Sequence, residues 1–421
     1  MKLMAAGLTA LLLLAACGGD DGDDAAAGSG GPEEEVTLRL WLNGPDTPQE
    51  LVDFAISEFE ADHPNVTVEF ERQQWDGLVE RLATALSSSD SPDVIEVGNT
   101  QAQGFEAAGA LVDLTEHRDQ LGGDDLVQSL VESGTYDGQF YAIPYYGGAR
   151  IVVYRTDLLA AAGLEVPTTI DEFVETGIAL KQANTATPNF SGVYLPGRNW
   201  HAMLSFIWDA GGDIAVQDDD QWVGELDSSE SVAGLETVQR IMTEANAAPA
   251  DSDDANDFIA FCNNEVGMLM GPGWKVGQIV EECPAMEANI GVFALPGSES
   301  GTTAPVFLGG SNLGVSANSE NPELAIEFLE VLIGEEYQSR LAEIGLLPGR
   351  LSLLSEVGGT PANEAQAEAA QNSRFVPASE NWAAVEGANI LQDMGVSIAL
   401  GGDVAAEAAR ADTAIEDTLN G

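Results

Sequence analysis

Basic residues are scarce in this chain. Its 421 residues include 15 lysines and arginines against 70 aspartates and glutamates, which gives a formal net charge of −55. Nucleic acid and anionic membrane surfaces carry the same sign of charge and would be repelled, so both are excluded as partners. The bias indicates a heavily solvated acidic surface whose self-repulsion is screened by salt, and a cationic ligand is the alternative interpretation.

Cysteine and histidine are also rare. The chain has three of each, scattered, with no CxxC and no Cys/His cluster at zinc-ligand spacing, so neither a metal nor a cofactor is expected. Cys262 and Cys283 lie far from the third cysteine, Cys17. Because thiols tend to pair outside the cytoplasm, we predict a structural disulfide between them, and two buried free thiols are the alternative.

Long apolar runs are absent except at the start, MKLMAAGLTALLLLAAC. This run is too short to span a membrane and predicts a signal peptide at residues 1–16. Small residues directly before Cys17 resemble a bacterial lipobox, which implies cleavage there and a lipid on that cysteine; an ordinary signal peptide is the alternative. Residues 17–35 lack any apolar period and predict a disordered tether.

Signatures of catalysis are missing as well. There is no HExxH and no GxSxG elbow, and Ser311 does not qualify because Leu313 stands where that pattern needs glycine. GPGWKVG, at 271–277, matches neither the dinucleotide-binding spacing nor the P-loop spacing. With 70 acidic residues, a carboxylate pair of the glycosidase type carries no information. An enzyme is therefore harder to exclude than to support, and a lipid-anchored glycosidase remains an alternative.

The remaining chain alternates between strand and helix periods. VTLRLWL, NVTVEF and PDVIEV read as strands, and Leu78, Leu82 and Leu86 mark one of the helices between them. Residues 47–50, TPQE, have the form of a capping box. Such alternation is typical of the α/β class, a sheet covered by helices, and the length suggests two lobes. Ligands bind at the carboxyl ends of parallel strands, where this sequence places Trp41, Asn43, Gln74, Trp75 and Asn99.

Two apolar strands are interrupted by paired glycines, YAIPYYGGARIVVYR at 141–155 and VFLGGSNLGVS at 306–316. Paired glycines soften a strand, and such strands suit a hinge between lobes, with Tyr145 and Tyr146 facing the cleft floor. The predicted boundaries are an N-terminal lobe of 36–145 plus 311–335, a C-terminal lobe of 149–306 plus 336–421, and hinge segments at 144–150, 307–312 and about 334–337.

Most of the seven tryptophans stand near the ends of elements. An indole combines an apolar face with one N–H donor, which suits the C–H faces and hydroxyl rim of a sugar. Trp274, beside glycines, is favoured as a stacking floor, whereas Trp222 fits a surface hairpin outside the site. For the other tryptophans core packing is an equal alternative.

Several segments together resemble the family 1 extracellular solute-binding proteins of bacterial ABC importers. The carriers are the lipobox, AIPYY with VVYRTDLLAAAGLEVPTTIDEF, WDAGGD, FCNNEVGMLMGPGW and ENPELAIEFLEVLIGEEYQSRLAEIGLLPGR; Asn264 departs from the usual glycine. RQQWDGLVERL, PDVIEVGNTQ and IPYYGGARIVVYR are similar to chitobiose- and oligosaccharide-binding lipoproteins of actinobacteria.

This resemblance implies a two-lobed, type II periplasmic-binding-protein-like fold, each lobe a sheet flanked by helices and hinged by crossing strands. It implies capture of a di- or oligosaccharide, including N-acetylglucosamine sugars such as chitobiose, and delivery to the transmembrane subunits of an ABC permease. The protein would be an extracytoplasmic monomer, anchored by lipid to the outer face of the cell membrane. Another solute, such as glycerol phosphate, a polyamine or a peptide, is the alternative.

The family's cleft, carried onto this chain together with the strand-end residues, gives one set of predicted ligand contacts: Trp41, Asn43, Gln74, Trp75, Asn99, Tyr145, Tyr146, Arg150, Trp200, Trp208, Trp274, Gly310, Ser311, Asn312 and Arg350.

Overall fold

The computed structural model describes residues 35–75, 77–219, 221–254, 257–354 and 359–421. The predicted signal peptide, Cys17 and all of the predicted tether except Glu35 lie outside these residues. The described strands, β1 to β14 in chain order, are Val36–Asn43, Val66–Gln73, Val94–Gly98, Thr135–Tyr136, Gln139–Phe140, Ala142–Arg155, Ser191–Tyr194, Ala215–Asp218, Gln221–Gly224, Val266–Pro272, Ile290–Phe293, Val306–Val315, Leu347–Pro348 and Ser373–Arg374.

Helices cover most of the chain between these strands. The described α-helices, α1 to α17, are Gln49–Asp62, Leu78–Leu86, Ala102–Ala107, Gln128–Ser133, Thr156–Ala162, Ile170–Ala183, Trp200–Asp209, Ser229–Arg240, Asp257–Cys262, Lys275–Glu282, Pro322–Leu332, Glu335–Glu343, Leu351–Leu354, Pro361–Ala370, Trp382–Gly387, Ile390–Ala399 and Val404–Leu419. The strand–helix alternation predicted from the sequence is thus present, including α2, which buries Leu78, Leu82 and Leu86.

One continuous sheet, in the order β2-β1-β3-β12-β6-β10-β7, organises the molecule. Strands β1, β2 and β3 run parallel, and β12 joins β3 and β6 antiparallel. The 14-residue β6 changes partners along its length: its first part pairs with β12, and its second part pairs with β10 and β11. The two glycine-containing strands therefore connect the two halves of the sheet, as their sequence suggested.

Separate hydrophobic cores lie along these crossing strands. The first core includes Leu40 and Phe328 together with Ile143 from the early part of β6. Another core includes Phe173 and, from the later part of β6, Val152. Both strands therefore pass from one core to the other.

The C-terminal part of the chain leaves the first core later than predicted. Residues 334–337 were expected to cross between lobes, but α12 continues from them and packs Tyr337 and Leu341 into the first core. The next strand, β13, pairs with β6 at Gly147 and Tyr146. The chain therefore stays with the first core through the amphipathic helix α12 and leaves it only at β13.

Thr47 does not cap α1 as its sequence predicted. The helix begins at Gln49 with Pro48 as its N-terminal boundary, and no side chain caps it. The Thr47 hydroxyl is buried instead and shares a 3.1 Å hydrogen bond with the Tyr145 hydroxyl. Thr169, by contrast, caps α6, because its side chain accepts a hydrogen bond from the Glu172 amide.

The paired glycines of β6 and β12 face each other. Gly147 pairs with Gly310 and Gly148 with Gly309 in the antiparallel register. The absence of side chains has two uses here: a Cβ on Gly310 would overlap the backbone of β6, and a Cβ on Gly148 would overlap the indole of Trp274. The glycines thus let two strands and an aromatic ring approach closely, in addition to the bending inferred from the sequence.

A disulfide holds the turn that carries Trp274. Cys262 ends α9 and Cys283 follows α10; the structure joins them, with their Cα atoms 5.8 Å apart. These two helices flank β10 in sequence, and Trp274 lies between β10 and α10. The bond therefore restrains the helix that begins beside this ring.

Replacing Gly148 with alanine tests the close contact of Trp274 with the sheet. The new Cβ would overlap the indole, so the ring must move and its fluorescence emission should shift. Gly147→Ala provides the control because its Cβ would lie no closer than 3.3 Å to any atom, with Leu308 Cδ1 the nearest and no Trp274 atom among the nearest three. An unchanged emission spectrum of Gly148→Ala, compared with wild type and with the control, would contradict the packing described.

Candidate functional site

A cleft of about 750 Å³ lies over the glycine-paired strands. This volume falls in the range usual for small-molecule sites. The loops after β1, β2 and β3 contribute one wall, as expected for carboxyl ends of parallel strands. The lining residues are Asp46, Trp75, Gly77, Leu78, Val79, Glu80, Gly98, Asn99, Thr100, Gln101, Tyr146, Gly148, Arg150, Trp200, His201, Pro272, Trp274, Phe307, Gly309, Gly310, Ser311, Ala383, Glu386, Gly387 and Gln392.

Trp75 stands at one side of this cleft and is held by Asp46. Its indole Nε1 donates a 2.7 Å hydrogen bond to the Asp46 carboxylate, although 37 % of the residue is exposed. Gly44, in the left-handed conformation at φ +57°, makes room for the ring, since a Cβ there would overlap the indole. A ring that is fixed by its polar edge and exposed on its faces is suited to stacking against a ligand.

Beneath the cleft, Tyr146 is tied to a buried carboxyl group. Its hydroxyl donates a 2.9 Å hydrogen bond to Glu96 Oε1, and the Asn43 backbone amide donates a 2.7 Å bond to Glu96 Oε2. Glu96 is fully enclosed, and burial raises its pKa to about 7 in spite of the hydrogen bonds it accepts. The network fixes the position of the Tyr146 ring, which lines the cleft.

Aromatic rings surround the opposite end, where β6 approaches β12. The Trp200 ring stacks on His201 at 3.9 Å between centroids, and His201 lies 4.9 Å from the Phe307 ring. The guanidinium carbon of Arg150 lies 5.4 Å from the Phe307 centroid. Burial, and then the charge of Arg150, lower the pKa of His201 well below its usual value, so this imidazole is neutral at physiological pH.

The helices near the C terminus close the remaining side. Glu386, on α15, lines the cleft and accepts a 2.8 Å hydrogen bond from the Trp382 indole. Tyr136, on β4, donates a 2.7 Å hydrogen bond to Glu380, which lies just before α15.

Eight of the predicted contact residues lie on the cleft. These are Trp75, Asn99, Tyr146, Arg150, Trp200, Trp274, Gly310 and Ser311. The side-chain amide of Asn99 is already engaged with the Leu308 carbonyl at 3.0 Å, so it also joins β3 to β12.

Tyr145 and Asn312 are placed away from the cleft by strand geometry. Successive residues of a strand point to opposite faces, so a cleft-facing Tyr146 turns its neighbour into the first core. There the Tyr145 hydroxyl is bonded to those of Thr47 and Tyr337. Asn312, next to Ser311, is likewise fully buried, with its side-chain amide 2.9 Å from the Ser133 hydroxyl.

The remaining predicted residues also lie outside the cleft. Trp41 packs beside the leucines of α2. The side-chain amide of Asn43 donates a hydrogen bond to the backbone carbonyl of Glu96, beneath the cleft. Trp208 comes two helical turns after Trp200, and its indole donates to Asp213 at 3.0 Å. Arg350 is paired with Asp125 at 2.9 Å, and the last of the group, Gln74, is exposed beside the site.

Several cleft residues were not anticipated. Asp46 follows β1 by three positions, so the strand-end argument could have included it, and His201 adjoins the predicted Trp200. Phe307 precedes the paired glycines of β12. Glu386 had no signal in the Ala-rich sequence around it. The described residues contain no group of three or more potential metal ligands.

The buried Glu96 predicts a measurable dependence of stability on pH. Its folded pKa of about 7 exceeds the unfolded value of 4.5, so its contribution to stability is complete below pH 4.5 and is lost as pH rises to about 7. From pH 5 to 8 the unfolding free energy of the wild type should fall by roughly 2.5 kcal/mol more than that of Glu96→Gln. Urea unfolding at several pH values measures both, and parallel curves would contradict the assignment.

Sequence comparison relates this chain to a protein family and to individual proteins. A family model described as "Bacterial extracellular solute-binding protein" matches residues 44–339. The diacetylchitobiose binding protein DasA of Streptomyces coelicolor is 35% identical over 354 residues, which cover 83% of this chain and 82% of that protein. A lactose-binding protein of Rhizobium radiobacter is 27% identical over 341 residues, 76% of this chain and 75% of the relative.

Solved structures share the fold. The GacH receptor of Streptomyces glaucescens superposes with a TM-score of 0.77 at 21% identity, covering 92% of this chain and 99% of the receptor. The sugar-binding protein MalE of Xanthomonas citri gives 0.77 at 23% identity, covering 91% and 97%. The two-lobed type II architecture, inferred from the sequence, is therefore confirmed. With a family model that spans most of its length, this chain belongs to the bacterial extracellular solute-binding proteins.

Proposed function

We propose that this protein captures a di- or oligosaccharide in the cleft as the substrate-binding component of an ABC sugar importer. The observation that carries the proposal is the arrangement of Trp274 over the glycine-paired strands and Trp75 at the cleft wall, held by Asp46. Trp75 is exposed and Trp274 is half-buried, and aromatic faces that line a cleft accept the C–H faces of sugar rings. Acceptor and donor groups around them, including Tyr146 and Gln101, can bind the hydroxyl rim.

The names of the relatives support a sugar of two or more units. DasA is a diacetylchitobiose binding protein, and the Rhizobium relative binds lactose, both disaccharides. A cleft of about 750 Å³ has room for a ligand of that size. Among such sugars, those containing N-acetylglucosamine are favoured by the stronger similarity to DasA.

Closure of two lobes around the sugar is the expected mechanism. The lobes are proposed to meet at 144–150 and 307–312, as the sequence suggested, with the third crossing at β13 rather than at 334–337. The hydrogen bond from Tyr136, which precedes β6, to Glu380, just before α15, joins the two halves. A sugar that contacts both halves would favour this closed arrangement through its differential contacts.

The remaining assignments concern the cellular setting. The closed, sugar-loaded protein would dock as a monomer on the transmembrane subunits of a permease. Cys17 would carry a lipid that anchors it to the outer face of the cell membrane, after removal of residues 1–16. None of the helices in the described residues is long and apolar enough to span a bilayer. Sugar would be bound and released unchanged, without catalysis.

Titration calorimetry with diacetylchitobiose, lactose and maltose tests the proposed capture. We expect binding of at least one sugar, weakened about 3- to 10-fold in Trp75→Ala because one aromatic contact is lost. Trp222→Ala is the matched control, since Trp222 belongs to the surface hairpin β8–β9. Absence of binding to any mono- or oligosaccharide would contradict the proposal, and release of hydrolysed sugar would indicate a glycosidase instead.

A further inference from the structure

Arg150 is a buried cation without a close carboxylate partner among the described residues. Only 7 % of it is exposed, and its Nε has no hydrogen-bond partner in the part of the chain that the structure describes. Asp254 and Asp257 act on it only as charges at a distance. Asp257 is instead paired with Lys275, with 2.8 Å between Nζ and Oδ1.

Leaving a buried donor unsatisfied is costly for a folded protein, and more so when the donor is charged. Burial lowers the pKa of Arg150 only to about 10, so the guanidinium is charged at physiological pH. Nε itself is closed off from the cleft, but Arg150 lines the cleft and its terminal amino groups have no hydrogen-bond partner among the described residues, so a bound ligand can offer them an acceptor. The surroundings of the Arg150 guanidinium determine which ligand oxygen it can bind.

An apolar wall lies beside the guanidinium. The group sits over Phe307, close to Gly309, where an added Cβ would lie 3.8 Å from Nη1. Phe307 adjoins the ring of His201, which is neutral, and that ring stacks on Trp200. A ligand substituent at this end meets a strong donor on one side and uncharged rings on the other.

The charges around the cleft oppose an anionic substituent. Asp46, Glu80 and Glu386 line the same cleft, and the whole chain carries a formal charge of −55. A carboxylate on the ligand would form an ion pair with the guanidinium but would be repelled by these acidic groups. A neutral carbonyl oxygen can accept a hydrogen bond from the guanidinium without that repulsion. A methyl group next to this carbonyl would pack on the rings.

We infer that Arg150 selects sugars that carry an N-acyl group, by donating to the acyl carbonyl oxygen while the acyl methyl packs against Phe307 and the neighbouring rings. This inference rests on the proposed capture of sugar and assigns the specificity to one side chain. A hydrogen bond from a charged donor is strong enough to separate N-acetylated from plain sugars by about 10- to 100-fold.

Calorimetry with diacetylchitobiose and cellobiose, which differ at the C2 substituent, tests this assignment. Wild type should bind diacetylchitobiose about 10- to 100-fold more tightly, and in Arg150→Met that preference should shrink to roughly 3-fold or less. Arg374→Met is the matched control: Arg374 lies at the same 5.4 Å over a ring, that of Trp208, but is paired with Asp213 and does not line the cleft. It should retain the full preference.

The outcomes separate the inference from the function on which it rests. Thermal unfolding of each variant identifies loss of fold, and Arg150→Lys, which keeps the charge, provides a second variant if Arg150→Met is unfolded. If wild type binds neither sugar nor any other, the proposed function fails. If it binds both equally, or if Arg150→Met keeps the preference, only the inference is overturned. Tighter binding of a uronic-acid disaccharide would also overturn it, since Arg150 would then recognise a carboxylate.

Discussion

The close pairing of β6 with β12 is the contact on which the rest of this structure depends. These strands connect the two halves of the sheet, and their facing glycines, Gly147 with Gly310 and Gly148 with Gly309, leave two adjacent pairs without side chains. Larger residues would separate the strands at Gly310 and lift Trp274 at Gly148. The same four positions therefore set the shape of the cleft floor.

Around this crossing, some polar groups hold the aromatic rings in place, and another lines the cleft itself. Glu96 and Asn43 lie below and orient Tyr146. Asp46 lies at the edge and orients Trp75, while burial raises its own pKa. At the cleft, Arg150 combines burial and charge with an Nε that has no hydrogen-bond partner among the described residues. The supporting groups hold the aromatic rings in position. The guanidinium of Arg150 remains available to the ligand that these rings bind.

The sequence allowed prediction of elements more readily than of side-chain directions. The periods of three strands and of α2 were sufficient for the α/β class, and the paired glycines indicated where the halves join. Tyr145 shows the limit: adjacent aromatic residues appeared equivalent, but strand alternation sends one to the cleft and the other to the core. Arg350 was misplaced because its partner, Asp125, is more than two hundred residues away. Glu386 reaches the cleft only through tertiary packing of α15, which no local pattern reports.

The proposed function requires the cleft between the two halves to hold a sugar against Trp75 and Trp274. A crystal structure of the protein grown with diacetylchitobiose would show this contact. We expect electron density for a sugar over the crossing of β6 and β12, with a ring face on at least one of these indoles and its acyl group next to Arg150. A sugar bound elsewhere on the surface, with the cleft filled only by solvent, would contradict it.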